Sequence, residues 1–577
     1  MTQRASFNHR VAADPDFRRN IGGVLIKAEK NKHKLKGFSP DEKFPQSKFS
    51  PYENLTYEWN PNGSGIMWHR YSFPVFLLSA ENTTVLEEAV AKNEKYNKSY
   101  SQDVAEFDLV MQTTKSATHD SESCLKAGTC LPLGGYSVWS SLPPIIESSS
   151  DTTKPIILAT ASMDSASFFR DKSLGADSPL SGLVALLAAV DALSHSDYLK
   201  SFTKQLVFLA LTGEAWGFLG SRRFLHELEL QSDAVAGLNI TLIETVLEIG
   251  SVGKGFNGGV KSFFIHSSRE AKVANKTFDA LQRAQVSLKS DDIKISAANT
   301  LNPGVPPSSL MSFLNKNPQI SGAVLEDFDA MFANEYYHSH LDVISNINTT
   351  SIVAAASLIA RSLYILATDM ISDISILDDI HVNATLVEEL LDCLLKCNPG
   401  LSCGLVKDYI LPTGTCPSSY VGVIVTDPSS PPYRGYSSDI SRFIWNFLGE
   451  KTATKMENTS LTCQQGCSNQ SVCIRAETDQ KGVCVRSTTR YVPAFSTRLQ
   501  FKSGSWKLLP PNSSDRMSIA DPVWTESNWD VIRLRVFTLQ NAAYDRLILF
   551  GGVGITGFSY LAIEIIKAIM TKTLKRD

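Results

Sequence analysis

Hydrophobic and polar positions change their pattern near residue 150. Before it, apolar runs are short, as in Gly22-Gly23-Val24-Leu25-Ile26 and Phe73-Pro74-Val75-Phe76-Leu77-Leu78, among frequent Pro, Gly, Trp and Tyr. These read as short strands and loops of a small α+β lobe over 1–145. From Pro155 onward, continuous apolar runs alternate with helical spacing. Runs at 156–160, 205–211, 240–249, 263–265 and 322–325 predict buried strands, and spacing over 180–193, 218–230, 271–284 and 352–367 predicts helices. Alternating strands and helices predict an α/β fold over 150–375, its sheet covered on both faces. The cysteine-rich stretch 380–490 reads as a looser insert with a Ser-Ser-Pro-Pro loop, followed by a juxtamembrane segment, 491–545.

Every residue from 547 to 563 is apolar, small or hydroxylic; Glu564 follows, and apolar residues continue to Met570. At about 1.5 Å per residue, 546–570 is long enough to cross a bilayer core as one helix. The basic tail 571–577 predicts a cytoplasmic C-terminus and type I topology. Gly551, Gly554 and Gly557 let another membrane helix approach closely. Glu564 either pairs with a partner subunit or lies at headgroup level beside Lys567.

Composition narrows the picture. With 43% hydrophobic and 20% charged residues among 577, the chain is globular, and its net charge of -4 offers no footprint for nucleic acid. Asn-x-Ser/Thr acceptors at Asn54, Asn62, Asn82, Asn97, Asn239, Asn275, Asn348, Asn383, Asn458, Asn469 and Asn512 point to a glycosylated surface in a secretory compartment. Ten cysteines in an oxidising lumen favour disulfides over zinc, with Cys124 and Cys130 a local pair and the pairing of the other eight open. The first ten residues hold no apolar core and no cleavage site, so a signal sequence is expected upstream of this chain.

Ligands of open α/β sheets bind at the carboxyl ends of the strands. Asp164, Glu214 and Glu248 lie at three such ends, and His338 lies in a later loop. A carboxylate and histidine set of this kind can hold a divalent metal and activate water, and each member alone is an ordinary strand-end polar residue.

The run Gly213-Glu214-Ala215-Trp216-Gly217-Phe218-Leu219-Gly220-Ser221 resembles the GEExGLxGS motif of the di-zinc aminopeptidase superfamily, which includes transferrin-receptor-like proteins. The turn Gly175-Ala176-Asp177-Ser178-Pro179-Leu180-Ser181-Gly182 resembles its GADDxxSG turn, and Tyr337-His338-Ser339 its late YHS histidine. The resemblance implies that metal positions fall on Ser162, Ser178, Ala215, Glu248 and His338, with Asp177 beside Ser178. Only Glu248 and His338 carry ligand side chains, so no zinc and no other cofactor is expected.

Residues 36–41, Phe44-Pro45-Gln46, the Tyr-Glu-Trp-Asn-Pro run through Trp68, residues 73–78 and Pro306-Pro307-Ser308-Ser309-Leu310 together resemble the nicastrin family, the large glycoprotein subunits of γ-secretase. The family's DYIGS motif reads Gly217-Phe218-Leu219-Gly220-Ser221 here. This resemblance implies a mixed sheet flanked by helices and a non-catalytic ectodomain that supports assembly. It implies gating of type I membrane substrates with short ectodomains. The implied partners are presenilin and two small membrane subunits. The implied locations are endoplasmic reticulum, Golgi, endosomal and plasma membranes. Candidate substrate contacts are Glu214, Trp216, Asp164 and His338; for Glu214 the alternatives are orientation of a free amino terminus and a structural acceptor role. The rival readings are an active zinc aminopeptidase and a receptor built on the inactive fold.

Overall fold

The fully apolar runs become the centre of one nine-stranded sheet because both of their faces are covered by helices. The computed structural model describes residues 14–27, 38–41, 50–51, 56–69, 71–96, 105–113, 120–145, 153–196, 199, 201–268, 274–368, 374–411, 416–428, 437–454, 463, 466–467, 471–478, 482–511, 522–538 and 542–576. The sheet strands are β1 (Gly135–Leu142), β2 (Ile156–Ser162), β3 (Gln205–Leu211), β4 (Ile243–Ile249), β5 (Phe256–Asn257), β6 (Val260–Ser267), β7 (Ile293–Ala297), β8 (Ser321–Glu326) and β9 (Arg490–Ala494). Their order is β7-β6-β8-β4-β2-β3-β1-β9, with β5 paired to β6. Strands β8, β4, β2 and β3 are mutually parallel, whereas β6 and β1 flank them antiparallel, so the sheet is mixed.

Period-two alternation divides each central strand between two helical layers. Ile157, Ala159 and Ala161 of β2 and Leu206, Phe208 and Ala210 of β3 face one core. That core is shared with α1 (Leu180–Ser194), α3 (Ala274–Ser287), α5 (Thr349–Thr368), α6 (Ala384–Leu395) and α7 (Asp439–Lys451). Ile156, Leu158, Val207 and Leu209 face the other, against α2 (Leu219–Leu230) and α4 (Leu310–Lys316). Helix α5 is long and apolar enough to cross a membrane, yet it is 83% buried and is a core helix.

The stretch 380–490 is not the looser insert that its cysteines suggest. Asn383 caps α6 and Ser438 caps α7, and their apolar faces (Leu390, Leu394; Phe443, Phe447) enter the main core. All ten cysteines pair, as Cys124–Cys130, Cys393–Cys403, Cys397–Cys416, Cys463–Cys473 and Cys467–Cys484. The thiols left open to zinc are therefore spent on disulfides.

The chain divides into two compact units that do not follow contiguous segments. One holds 1–9, 33–69 and 115–528; the other holds 10–32, 70–114 and 529–577. In the second, Val24–Ile26 pairs parallel with Val75–Leu77, and Ala105–Thr113 pairs antiparallel with Trp529–Thr538. It ends in α8 (Ala542–Thr573), an apolar helix with no buried residue in its most apolar stretch. This is the second helix of spanning length and apolarity, and the only unburied one among the described residues.

Candidate functional site

The turns after β2, β3, β4 and β8 meet at one pocket of about 60 Å³. Positive φ at Gly213 and Gly217 allows the chain to turn sharply after β3, which aims Glu214 inward. Ser162, Asp164, Ser178, Glu214, Ala215, Glu248 and His338 all line the pocket. Trp216 does not. Its ring packs outside the lining, 5.6 Å from Trp524 and 6.2 Å from Tyr420, centroid to centroid.

Each retained acid is buried, and each is bound by backbone N–H groups. Asp164 accepts from the N–H of Glu214 at 2.8 Å and of Ala215 at 3.1 Å. Glu214 accepts from the N–H of Ser221 at 2.7 Å and from its hydroxyl at 2.9 Å. This contact needs Gly220, because a Cβ there would sit 2.2 Å from the Thr212 carbonyl oxygen and 2.7 Å from Glu214 Oε1. Glu248 accepts from the N–H groups of Ser309 and Leu310 at 3.0 and 2.7 Å, at the start of α4. His338 has positive φ, and its Nδ1 accepts from the N–H of Ala166 at 3.2 Å, so the neutral ring carries its proton on Nε2.

Burial sets the protonation of these groups. It pushes Asp164 up to about 6 against the pull of its backbone and hydroxyl donors, and Glu248 up to about 7. Glu214 rises to about 8, through burial and the nearby charge of Asp164. Burial lowers His338 to about 3.

A second set of acids, unread in the sequence except for Asp177, backs the pocket. Glu326 accepts from the N–H of Ser251 at 2.6 Å, in space that a Cβ at Gly250 would fill. Asp342 accepts from the N–H groups of Asp177 and Ser178, and burial with the charge of Asp177 pushes it up to about 8. If both were ionised, Asp177 Oδ2 and Asp327 Oδ1 would be buried acceptors without a donor. Burial raises both acids, the charge of Asp177 raises Asp327 further, and a proton held on Asp327 joins them, which lowers Asp177 in part. The available signal was Glu326-Asp327 closing the apolar run of β8, the strand-end pattern that marked Glu248.

The Tyr-Glu-Trp-Asn run is a packing element beside this site. Trp59 is buried against His266 and Phe328, and its carbonyl accepts from the N–H of Phe332 at 2.9 Å. Tyr57 donates to the Ala330 carbonyl at 2.8 Å, and Ser39 to the Tyr337 carbonyl at 2.7 Å. These bonds brace the loop that carries His338.

The pocket does not fit two zinc ions. Ser162, Ser178 and Ala215, which line it, supply no anionic ligand, and the oxygens of Asp164, Glu214 and Glu248 accept from N–H or O–H donors, as does Nδ1 of His338. Among the described residues, the one group of three ligand atoms within 4.8 Å of one another is Cys463, Cys467 and Cys484, each in a disulfide.

Sequence profiles of the nicastrin large lobe and the nicastrin small lobe match residues 155–364 and 3–113. The nicastrin of Arabidopsis thaliana is 60% identical over 99% of this chain and 85% of its own length. That of Homo sapiens is 26% identical over 92% of this chain and 79% of its own. A crystal structure of the γ-secretase component nicastrin superposes with a TM-score of 0.74 at 24% identity, covering 90% of this chain and 87% of that one.

Proposed function

The chain belongs to the nicastrin family, and from that premise we propose that it is the non-catalytic ectodomain subunit of a γ-secretase-type intramembrane protease. The observation that carries the non-catalytic part is the engagement of every retained acid by backbone or hydroxyl donors. Each donor takes one of a carboxylate's lone-pair sites, and with Ser162, Ser178 and Ala215 supplying no anionic ligand, too few donor atoms remain for a pair of zinc ions. The ectodomain then acts by shape, assembling with presenilin and two small membrane subunits and passing type I substrates with short ectodomains. It works in endoplasmic reticulum, Golgi, endosomal and plasma membranes, with α8 as its single span and its basic tail in the cytoplasm.

Glu214 serves this function as a structural acceptor, since it is 4% exposed and both its oxygens are bonded to Ser221. The test compares Glu214→Ala and Glu214→Gln in the assembled complex. Glutamine keeps an acceptor for the Ser221 N–H, so Glu214→Gln should assemble and process substrate as the parent does, and Glu214→Ala should lose assembly. Normal assembly with lost processing in Glu214→Gln would instead assign the carboxylate to a substrate amine. Recovery of the complex without presenilin would overturn the proposal as a whole.

A further inference from the structure

The strand Trp529–Thr538 precedes α8 in the chain, and its last residues carry exposed apolar side chains on both faces. Alternation puts Ile532, Leu534 and Val536 on one face, opposite Met111, Leu109 and Phe107. Arg533, Arg535 and Phe537 lie on the other. Val536 is 41% exposed and Phe537 47%. From Phe537 to Ala542 the chain spans at most about 18 Å. The rise from Ala542 to Leu547, where the apolar run begins, adds about 7.5 Å. The first turns of α8 present Tyr544, 53% exposed, and Arg546, the residue types that sit at headgroup level.

We infer that Val536 and Phe537, with Tyr544 of α8, form an interfacial anchor seated among the lipid headgroups where α8 enters the membrane. The inference rests on α8 spanning the bilayer. Local charge is balanced, with Glu106, Asp108 and Asp545 against Arg533, Arg535 and Arg546, so the lipid it fits is zwitterionic. Ile532 lies five strand steps, about 17 Å, from Phe537 and stays in water.

Because all native cysteines of this chain are in disulfides, one introduced thiol is its unique label site, and it is labelled before the chain is assembled with its partners. Nitroxides are placed on Ile532→Cys, Val536→Cys, Phe537→Cys and, as a check on the span, Val553→Cys. The full chain is held in its complex in phosphatidylcholine nanodiscs, and collisions with oxygen and with a nickel chelate are compared. The expected result is a rise in the oxygen-to-nickel ratio from Ile532 to Val536 and Phe537, and a higher ratio again at Val553. Equal, water-like ratios at 532, 536 and 537 with a deep Val553 would overturn the anchor and leave the span standing. A water-like Val553 would overturn both. Labels at 536 and 537 that are immobile and shielded from both reagents would overturn the lipid contact in favour of a protein cover. Val536 and Phe537 point to opposite faces, so failure of one variant to fold leaves the other to decide.

Discussion

Glu248 is bound by two backbone N–H groups, and removing its carboxylate leaves both without an acceptor. Each buried unmet donor costs about 1–3 kcal/mol, so Glu248→Ala should destabilise the protein by at least about 2 kcal/mol and Glu248→Gln by less. Calorimetric melting of the purified variants checks this order. The same acids make stability depend on pH. Asp164 and Asp177 titrate at about 6, Glu248 at about 7, and Glu214 and Asp342 at about 8. All are raised above their ordinary unfolded range of about 3.9–4.3. Between pH 4 and about 8 the folded state therefore holds more protons than the unfolded state, and stability falls as pH rises through that window. A tenfold change in proton affinity is about 1.4 kcal/mol, enough to move the melting temperature by a few degrees. Melting should occur at higher temperature at pH 5 than at pH 8.5; a flat or reversed profile would show that these groups are ionised when folded. The strand-end positions of Asp164, Glu214 and Glu248 were legible from the alternation of elements. The bonding of Asp164 and Glu248 was not, because their donors are remote in sequence, Glu214 and Ala215 for Asp164 and Ser309 and Leu310 for Glu248.

At the scale of elements, long apolar runs were read as strands and helices because burial on all sides leaves a continuous signal. Helices α6 and α7 escaped because their apolar stripes are diluted by cysteines and polar residues, although Asn383 and Ser438 are ordinary N-cap types. Strand β1 also escaped, since Ser137, Ser140 and Ser141 are buried at 0% exposure and break the apolar pattern. Their hydroxyls find partners only in the folded sheet, such as Thr489 and Thr452 for Ser140. Helix α8 carries the membrane prediction. Gly551, Gly554 and Gly557 meet nothing within 4 Å where a Cβ would stand, so the stripe is open to another helix. Replacing all three by leucine should leave the chain in the membrane and reduce co-precipitation of presenilin in mild detergent. A contact in a membrane interface is worth about 1 kcal/mol, so single replacements should have little effect. Equal recovery for the parent and the triple variant would make α8 a generic tether.

Across the whole molecule, segments far apart in sequence meet in one unit, where Ala105–Thr113 is the ladder partner of Trp529–Thr538. Of the expected glycan acceptors, Asn82, Asn239 and Asn383 are exposed, Asn62 and Asn348 are half-buried, and Asn275 lies in α3. Asn54, Asn97, Asn458, Asn469 and Asn512 fall outside the described residues. Protein from secretory cells should shift to higher gel mobility after glycosidase treatment. Thr385→Ala should remove one step of that shift while keeping the Asn383 side chain as the cap of α6, whereas Asn383→Gln would also lose the cap, about 1 kcal/mol. An unchanged band would contradict a sugar-coated surface.

The sequence by itself determined the α/β class and the long apolar helix at the C-terminal end, because hydrophobic periodicity and apolar length are local properties. It also determined the family, through motifs that survive as contiguous words. Only the tertiary structure decided that the remaining acids are buried and bonded to N–H groups, that Trp59 braces the His338 loop, that ten cysteines form five bridges, and that 70–114 and 529–577 share a unit. Each of these depends on which distant segments come within hydrogen-bonding or covalent reach, and that distance is absent from a linear pattern.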